Sequence, residues 1–186
     1  MKVIGIDQSY TGFGYCVDGE PKKKAFPVSK YRGDLVRLWQ IRRWFRGWLN
    51  DVIAQDERTV DLIVMEGYAA ASKYGRESAG ELGAVVKLVV LDEWGSEPLI
   101  VPPSSLKKFV TGKGNAAKNQ MLLGVYKQWG LEFSDDNQAD AFALEKFGYA
   151  YLANLSLNPD REWSEYPKYQ QETVAKVHHL TMTGVP

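Results

Sequence analysis

Two apolar runs, each about one β-strand long and each closed by an acid, constrain this chain more than any other feature: KVIGID ends on Asp7 and LIVME on Glu66. The first turns polar after a single strand's length, too soon for a signal peptide or a membrane span. The second, from Val60 to Met65, predicts a strand buried on both faces and central in its sheet. TGFGYCV alternates in character, so Met1 to Val17 reads as two strands joined by a polar turn. A third strand around Lys24 to Ser29 would complete a meander.

Helical spacing fills the intervals. Asp34 is expected to cap a helix whose apolar positions Leu38, Ile41, Phe45, Trp48 and Val52 recur at three- and four-residue steps. Trp39, Trp44 and Trp48 follow that helical spacing and so read as core or dimer contacts. Ser78 to Trp94 is a second helix, with Leu82, Val85, Val86, Val89 and Val90 inward and Gly95 at its end. Pro98 to Val101 is a short strand, Lys107 to Val110 a brief helix, and Asn115 the cap of a helix reaching Trp129. Ser134 or Asp135 opens a last core helix to about Leu152. The element order predicts an α/β fold, an RNase H-like mixed five-stranded sheet flanked by helices. Residues 1–157 would form that domain and 158–186 a C-terminal extension, with an added amphipathic helix from Tyr166 to Leu180.

The composition allows one hydrophobic core, with 45% apolar residues in 186. A single cysteine, Cys16, cannot form an internal disulfide, and the adjacent His178 and His179 make no zinc spacing, so a reducing, cytoplasmic setting is expected. Net charge is zero but sorted by segment. Lys22 to Arg46 holds nine basic residues against Asp34, and Ser104 to Leu131 holds five lysines and no acid. Glu132 to Glu145 carries only acids. This is the pattern of a basic binding surface around an acidic metal site, and equally of ordinary solvated helix faces.

Asp7 and Glu66 at strand ends can meet Asp136 and Asp140, four residues apart on one helix face. Asn137, offset by a three-residue step, competes with Asp136. Singly, each acid also serves as a turn former or helix-start residue. Packed together they would repel one another unless a cation sits between them. Hard oxygen ligands favour Mg²⁺ or Mn²⁺ over zinc, and two such ions roughly 4 Å apart suit phosphodiester hydrolysis.

GIDQSYTGFGYCV resembles the first motif of RuvC-type Holliday junction resolvases, MEGY the second, VPPSSLKKFVTGKGNAAKNQM their basic segment and DDNQADAFAL their final acidic helix. The resemblance runs from Lys2 to Ala150 and is greatest to phage-type relatives. It implies a homodimer that nicks four-way DNA junctions in pairs, leaving 5′-phosphate ends, with Mg²⁺ bound by Asp7, Glu66, Asp136 and Asp140. The bacterial pattern places its fourth acid where Asn137 stands here, which is why Asp136 is chosen. Lys107 and Lys118 match lysines expected at the scissile phosphate, with Lys108 and Lys113 as further DNA contacts. Tyr68, Lys73, Tyr74 and Arg76 follow Glu66 in a segment that similar resolvases carry into the junction. Alternatives are a broader branched-DNA or RNA:DNA hybrid nuclease and a catalytically silent junction-binding protein. An actin-like ATPase would need a second phosphate loop.

Overall fold

In the computed structural model, which describes residues 1–30, 33–55, 59–68, 76–155 and 161–183, the two acid-ended runs lie side by side. They are the parallel strands β1 (Val3–Asp7) and β4 (Leu62–Glu66), and β1 also pairs antiparallel with β2 (Gly12–Val17). With β3 (Glu20–Ala25) and β5 (Leu99–Val101) the sheet runs β3-β2-β1-β4-β5. The expected mixed five-stranded sheet is present, with the acid-ended strands at its centre.

One expected strand moves. Glu20 opens β3, four residues before the anticipated Lys24, because Asp18 (φ 53°) and Gly19 (φ 77°) form a two-residue turn that pairs Val17 with Glu20. An Asp-Gly step accepts two consecutive left-handed conformations and matches the twist of a tight hairpin. Glu145, fully buried, fixes the turn by accepting the Gly19 N–H at 2.8 Å.

Helices cover both faces. α1 (Asp34–Ala54) and α2 (Arg76–Trp94) pack on the face lined by Ile4, Ile6, Ile63 and Met65. Asp34 is the first helical residue of α1, and Gly33 takes the cap position without a side-chain bond. The buried row is Leu38, Ile41, Phe45, Leu49 and Val52. Trp48 is displaced from it to the margin, its ring 4.7 Å from that of Tyr15.

α3 (Pro103–Thr111), α4 (Lys118–Trp129), α5 (Asp136–Leu155) and α7 (Lys168–Thr183) pack on the opposite face, with the short α6 (Arg161–Glu165) beside them. α3 is longer than expected, since Pro103 occupies a first-turn position that needs no N–H donor. α4 starts at Lys118 rather than being capped by Asn115; the Gln120 side chain accepts the Ala117 N–H at 2.9 Å. Val174 and Val177 of α7 are buried in the same cluster as Phe109, Phe142 and Phe147, so the tail helix completes that core. No helix among the described residues is long and apolar enough to cross a membrane.

Candidate active site

The two-residue period of the strands decides which way the acids face. In β1, Ile4 and Ile6 belong to the α1/α2 core while Val3 packs toward α5, so Asp7 also projects toward α5. In β4, Ile63 and Met65 pack toward α1 and α2 and Val64 toward α5, which turns Glu66 the same way. Ile6 pairs with Met65, so the two carboxylates follow one step further on neighbouring strands.

The helix bearing the other two acids lies directly on the sheet because glycines face it. A Cβ at Gly5 would stand 2.1 Å from the Ala141 carbonyl oxygen, and one at Gly14 would stand 2.2 Å from that of Asn137. Ala139, Ala141 and Ala143 keep the helix side equally thin. Asp135 caps the helix start: one carboxylate oxygen accepts the N–H groups of Asn137 (3.0 Å) and Gln138 (3.3 Å), the arrangement expected of an Asp N-cap. Its second oxygen pairs with Lys23 of β3, and the Gln138 amide donates to Pro21 O at 3.2 Å. The edge hairpin thereby fixes where Asp136 and Asp140 begin.

A cavity of about 820 Å³ gathers Asp7, Glu66, Asp136, Asp140, Lys107 and Lys118 in its lining. Lys107 comes from α3, and Lys118, at the first turn of α4, pairs with Asp136. Asn137 also lines the cavity, but its amide nitrogen donates to Asp135 at 3.3 Å. Other expected contacts lie elsewhere. Lys108 pairs with Glu172 at 3.4 Å, and Lys113 lines a separate cavity. Tyr68 borders the acid cavity with its hydroxyl in the space that Gly83's missing side chain leaves. Lys73 and Tyr74 lie outside the described residues; Arg76 opens α2, and its side chain is likewise outside the description.

The acids bear the electrostatic mark of crowding. Burial, then the charges of Glu66, Asp140 and Asp136, raises the Asp7 carboxyl well above its usual range. Burial and Asp140 push Glu66 up to about 7, against the pull of Lys107 and the Asp7 hydrogen bond. Burial and Asp136 push Asp140 to about 6, with Lys118 and Lys107 opposing. Four carboxyls in one cavity relieve their repulsion by the Asp7–Glu66 hydrogen bond and the Asp136–Lys118 pair. Among the described residues, no three acid, His or Cys side chains are gathered as a ready metal-holding set. The expected four-carboxylate cluster is therefore one cavity, with Asp136 turned toward a lysine. The donors are hard carboxylate oxygens without thiolate or imidazole, which fits a divalent cation of the Mg²⁺ type.

Two further side chains in the cavity wall were not singled out from sequence. Gln8 donates to the Glu66 carbonyl oxygen at 2.6 Å, tying the ends of β1 and β4 together, and its own side-chain oxygen is buried without a partner among the described residues. Tyr10 lies under the Arg37 guanidinium, 4.7 Å from its ring centre, with a buried hydroxyl that has no partner among the described residues. Their only sequence signal is position, one and three residues after the strand-ending Asp7.

No family model matches the chain. The crossover junction endodeoxyribonuclease RuvC of Synechococcus sp. (strain CC9311) is 27% identical over 157 residues, covering 80% of this chain and 98% of the relative. Thermus thermophilus RuvC superposes with a TM-score of 0.60 at 19% identity, covering 78% of this chain and 91% of that one. A structure of T. thermophilus RuvC in complex with a Holliday junction substrate gives a TM-score of 0.59 at 20% identity, covering 78% and 90%. The chain is thus homologous to RuvC, and its mixed sheet with flanking helices is the RNase H-like fold.

Proposed function

Starting from homology to RuvC, we propose that this chain is a metal-dependent endodeoxyribonuclease that resolves four-way DNA junctions by paired phosphodiester hydrolysis. One observation carries the reading: acids from two strands and a distant helix share a single cavity with two lysines from a fourth and fifth element. Acids alone would suit a cation, and lysines alone an anion. Their juxtaposition suits a phosphodiester held beside a metal ion.

Asp7, Glu66, Asp136 and Asp140 are the residues that would hold Mg²⁺, with Mn²⁺ as a substitute and two ions per subunit. When bound, the metal supplies water activation and neutralises charge at the leaving oxygen. The chain's own groups do the rest. Lys107 and Lys118 hold the scissile phosphate as point charges, and Gln8 keeps the two strand ends at a fixed separation. Cleavage leaves 5′-phosphate and 3′-hydroxyl ends. Asp136 serves as the fourth ligand in preference to Asn137, because it offers a charged carboxylate oxygen where Asn137 offers a neutral amide one.

Paired nicking requires two subunits. The outer face of α2 exposes Leu88 (57%) and Leu91 (44%) one turn apart, and this is the surface we assign to the twofold contact. A cytoplasmic site of action accords with the single cysteine. The test is cleavage of a synthetic four-way junction, beside fork, flap and RNA:DNA hybrid substrates, in Mg²⁺ and in EDTA. Asp7→Asn is expected to abolish nicking while junction binding stays near wild type or strengthens, because removing a negative charge favours phosphate docking. A variant that nicks at the wild-type rate would remove Asp7 from the mechanism, and equal cleavage of the hybrid would move the substrate class.

A further inference from the structure

Five lysines and no acid lie between Ser104 and Leu131, yet the acid cavity uses only Lys107 and Lys118. Lys108 is spent on Glu172. The remaining two, Lys113 and Lys127, line a second cavity of about 300 Å³ bounded by α3, α4 and the tail helix α7. Among the described residues neither makes an ion pair, and no carboxylate lines this cavity.

Its wall is built rather than incidental. Gln170, 3% exposed, donates from its amide to the Phe109 carbonyl and to the Gln128 side-chain oxygen, both at 2.8 Å. A carbonyl can only accept, so the Gln170 amide is oriented, and Gln128 must then turn its nitrogen away. That nitrogen donates to the Val110 carbonyl and, at 3.3 Å, to the Tyr169 hydroxyl oxygen. The Tyr169 hydroxyl thus receives a hydrogen bond on its oxygen and is left to donate into the cavity it lines. Gln120 spends its side-chain oxygen on the Ala117 N–H, which leaves its NH₂ as a donor there too.

Two ammonium groups and two neutral donors, with no competing anion, select an anion. Location identifies which. Lys118 in the acid cavity and Lys127 in the second cavity are separated by roughly 13 Å along α4 and by about half a turn around it, a span of roughly 20 Å, or about six steps of a DNA strand at ~3.4 Å each. We propose that the second cavity is a backbone-phosphate subsite, where Lys113, Lys127 and the Tyr169 hydroxyl hold a phosphate of the DNA arm several nucleotides from the scissile one. The inference deepens the junction-nuclease reading and rests on it, and it gives the tail helix a part in DNA binding.

The experiment is fluorescence titration of a labelled four-way junction in EDTA across a salt series, with the full-length chain. The Lys113→Ala/Lys127→Ala double variant is expected to lose roughly tenfold or more in affinity and, since one phosphate contact is lost, to flatten the log–log salt slope by about one. Lys127→Arg should restore its share of the slope. Tyr169→Phe, which keeps the ring, should weaken binding about threefold with no change in slope. Wild-type affinity and slope in the double variant would overturn the subsite. So would a melting temperature raised by millimolar inorganic phosphate in the wild type alone, if junction binding were unaltered in the variant, since that marks a free-anion site. A wild-type chain that fails to bind junctions sinks the functional reading instead; the same slope comparison on plain duplex DNA then decides the subsite.

Discussion

Neutralising Asp140 is expected to stabilise the metal-free fold at alkaline pH while abolishing cleavage. Glu66 is held at about 7 against an ordinary 4.5, and Asp140 at about 6 against 3.8. A carboxyl raised in the folded state carries no penalty below its unfolded value. The penalty grows between the two values and is complete above the folded one, so stability falls as pH rises from about 4 to about 7. Sealed from water, each shift would cost about 3 kcal/mol. Both side chains keep some surface open to the cavity, so screening cuts the joint cost to roughly 2–3 kcal/mol. Asp140→Asn removes its own share and the largest neighbouring charge acting on Glu66. A gain of about 1–2 kcal/mol is expected at pH 8, and almost none at pH 4. Urea unfolding in EDTA at both pH values reads it directly, and Mn²⁺ should then stabilise the wild type at pH 8 more than the variant. A variant no more stable than wild type at pH 8 would refute the claim that crowded carboxylates oppose this fold.

Two other perturbations separate the parts of the site. Lys118→Ala frees Asp136 from its pair; calorimetry should show Mn²⁺ affinity in the absence of DNA rising several-fold while junction affinity falls, and lower metal affinity would contradict the pairing as a restraint on the acid. Gly5→Ala puts a methyl where only 2.1 Å separates it from the Ala141 carbonyl; the helix must lift, costing about 1–3 kcal/mol, and cleavage should fall with it. Wild-type melting and cleavage for that variant would mean α5 is not seated on β1 as described.

The central strands were legible because burial and chemistry agree there: an apolar run that stops on an acid specifies both a strand and the direction of its end. The acidic helix was legible for the same reason, through Asp136 and Asp140 one turn apart. The third strand was misplaced because its residues Lys22, Lys23 and Lys24 carry no apolar signal at all; β3 is fixed by the Asp18-Gly19 turn, which is local backbone chemistry rather than hydrophobic pattern. Gln8, Lys23, Gln128 and Gln170 act through a few long-range hydrogen bonds or ion pairs each. Periodicity holds no trace of such partners, since each joins elements whose proximity only the topology supplies.

The same topology explains how four acids can be stored in one cavity of a marginally stable chain. With Asp7 and Glu66 sharing a hydrogen bond and Asp136 paired to Lys118, the repulsive charge reduces chiefly to Asp140 and whatever fraction of Glu66 is ionised. Near pH 6 both are partly protonated, so Lys107, the lysine not taken by Asp136, covers what remains. A divalent cation entering this cavity replaces protons and one lysine contact rather than filling an open charge deficit, so binding must release protons and strengthen as pH rises. The lysine released from Asp136 is then available to the phosphate. On the proposed reading, cation and DNA are expected to favour the same rearrangement, each removing the restraint that would oppose the other.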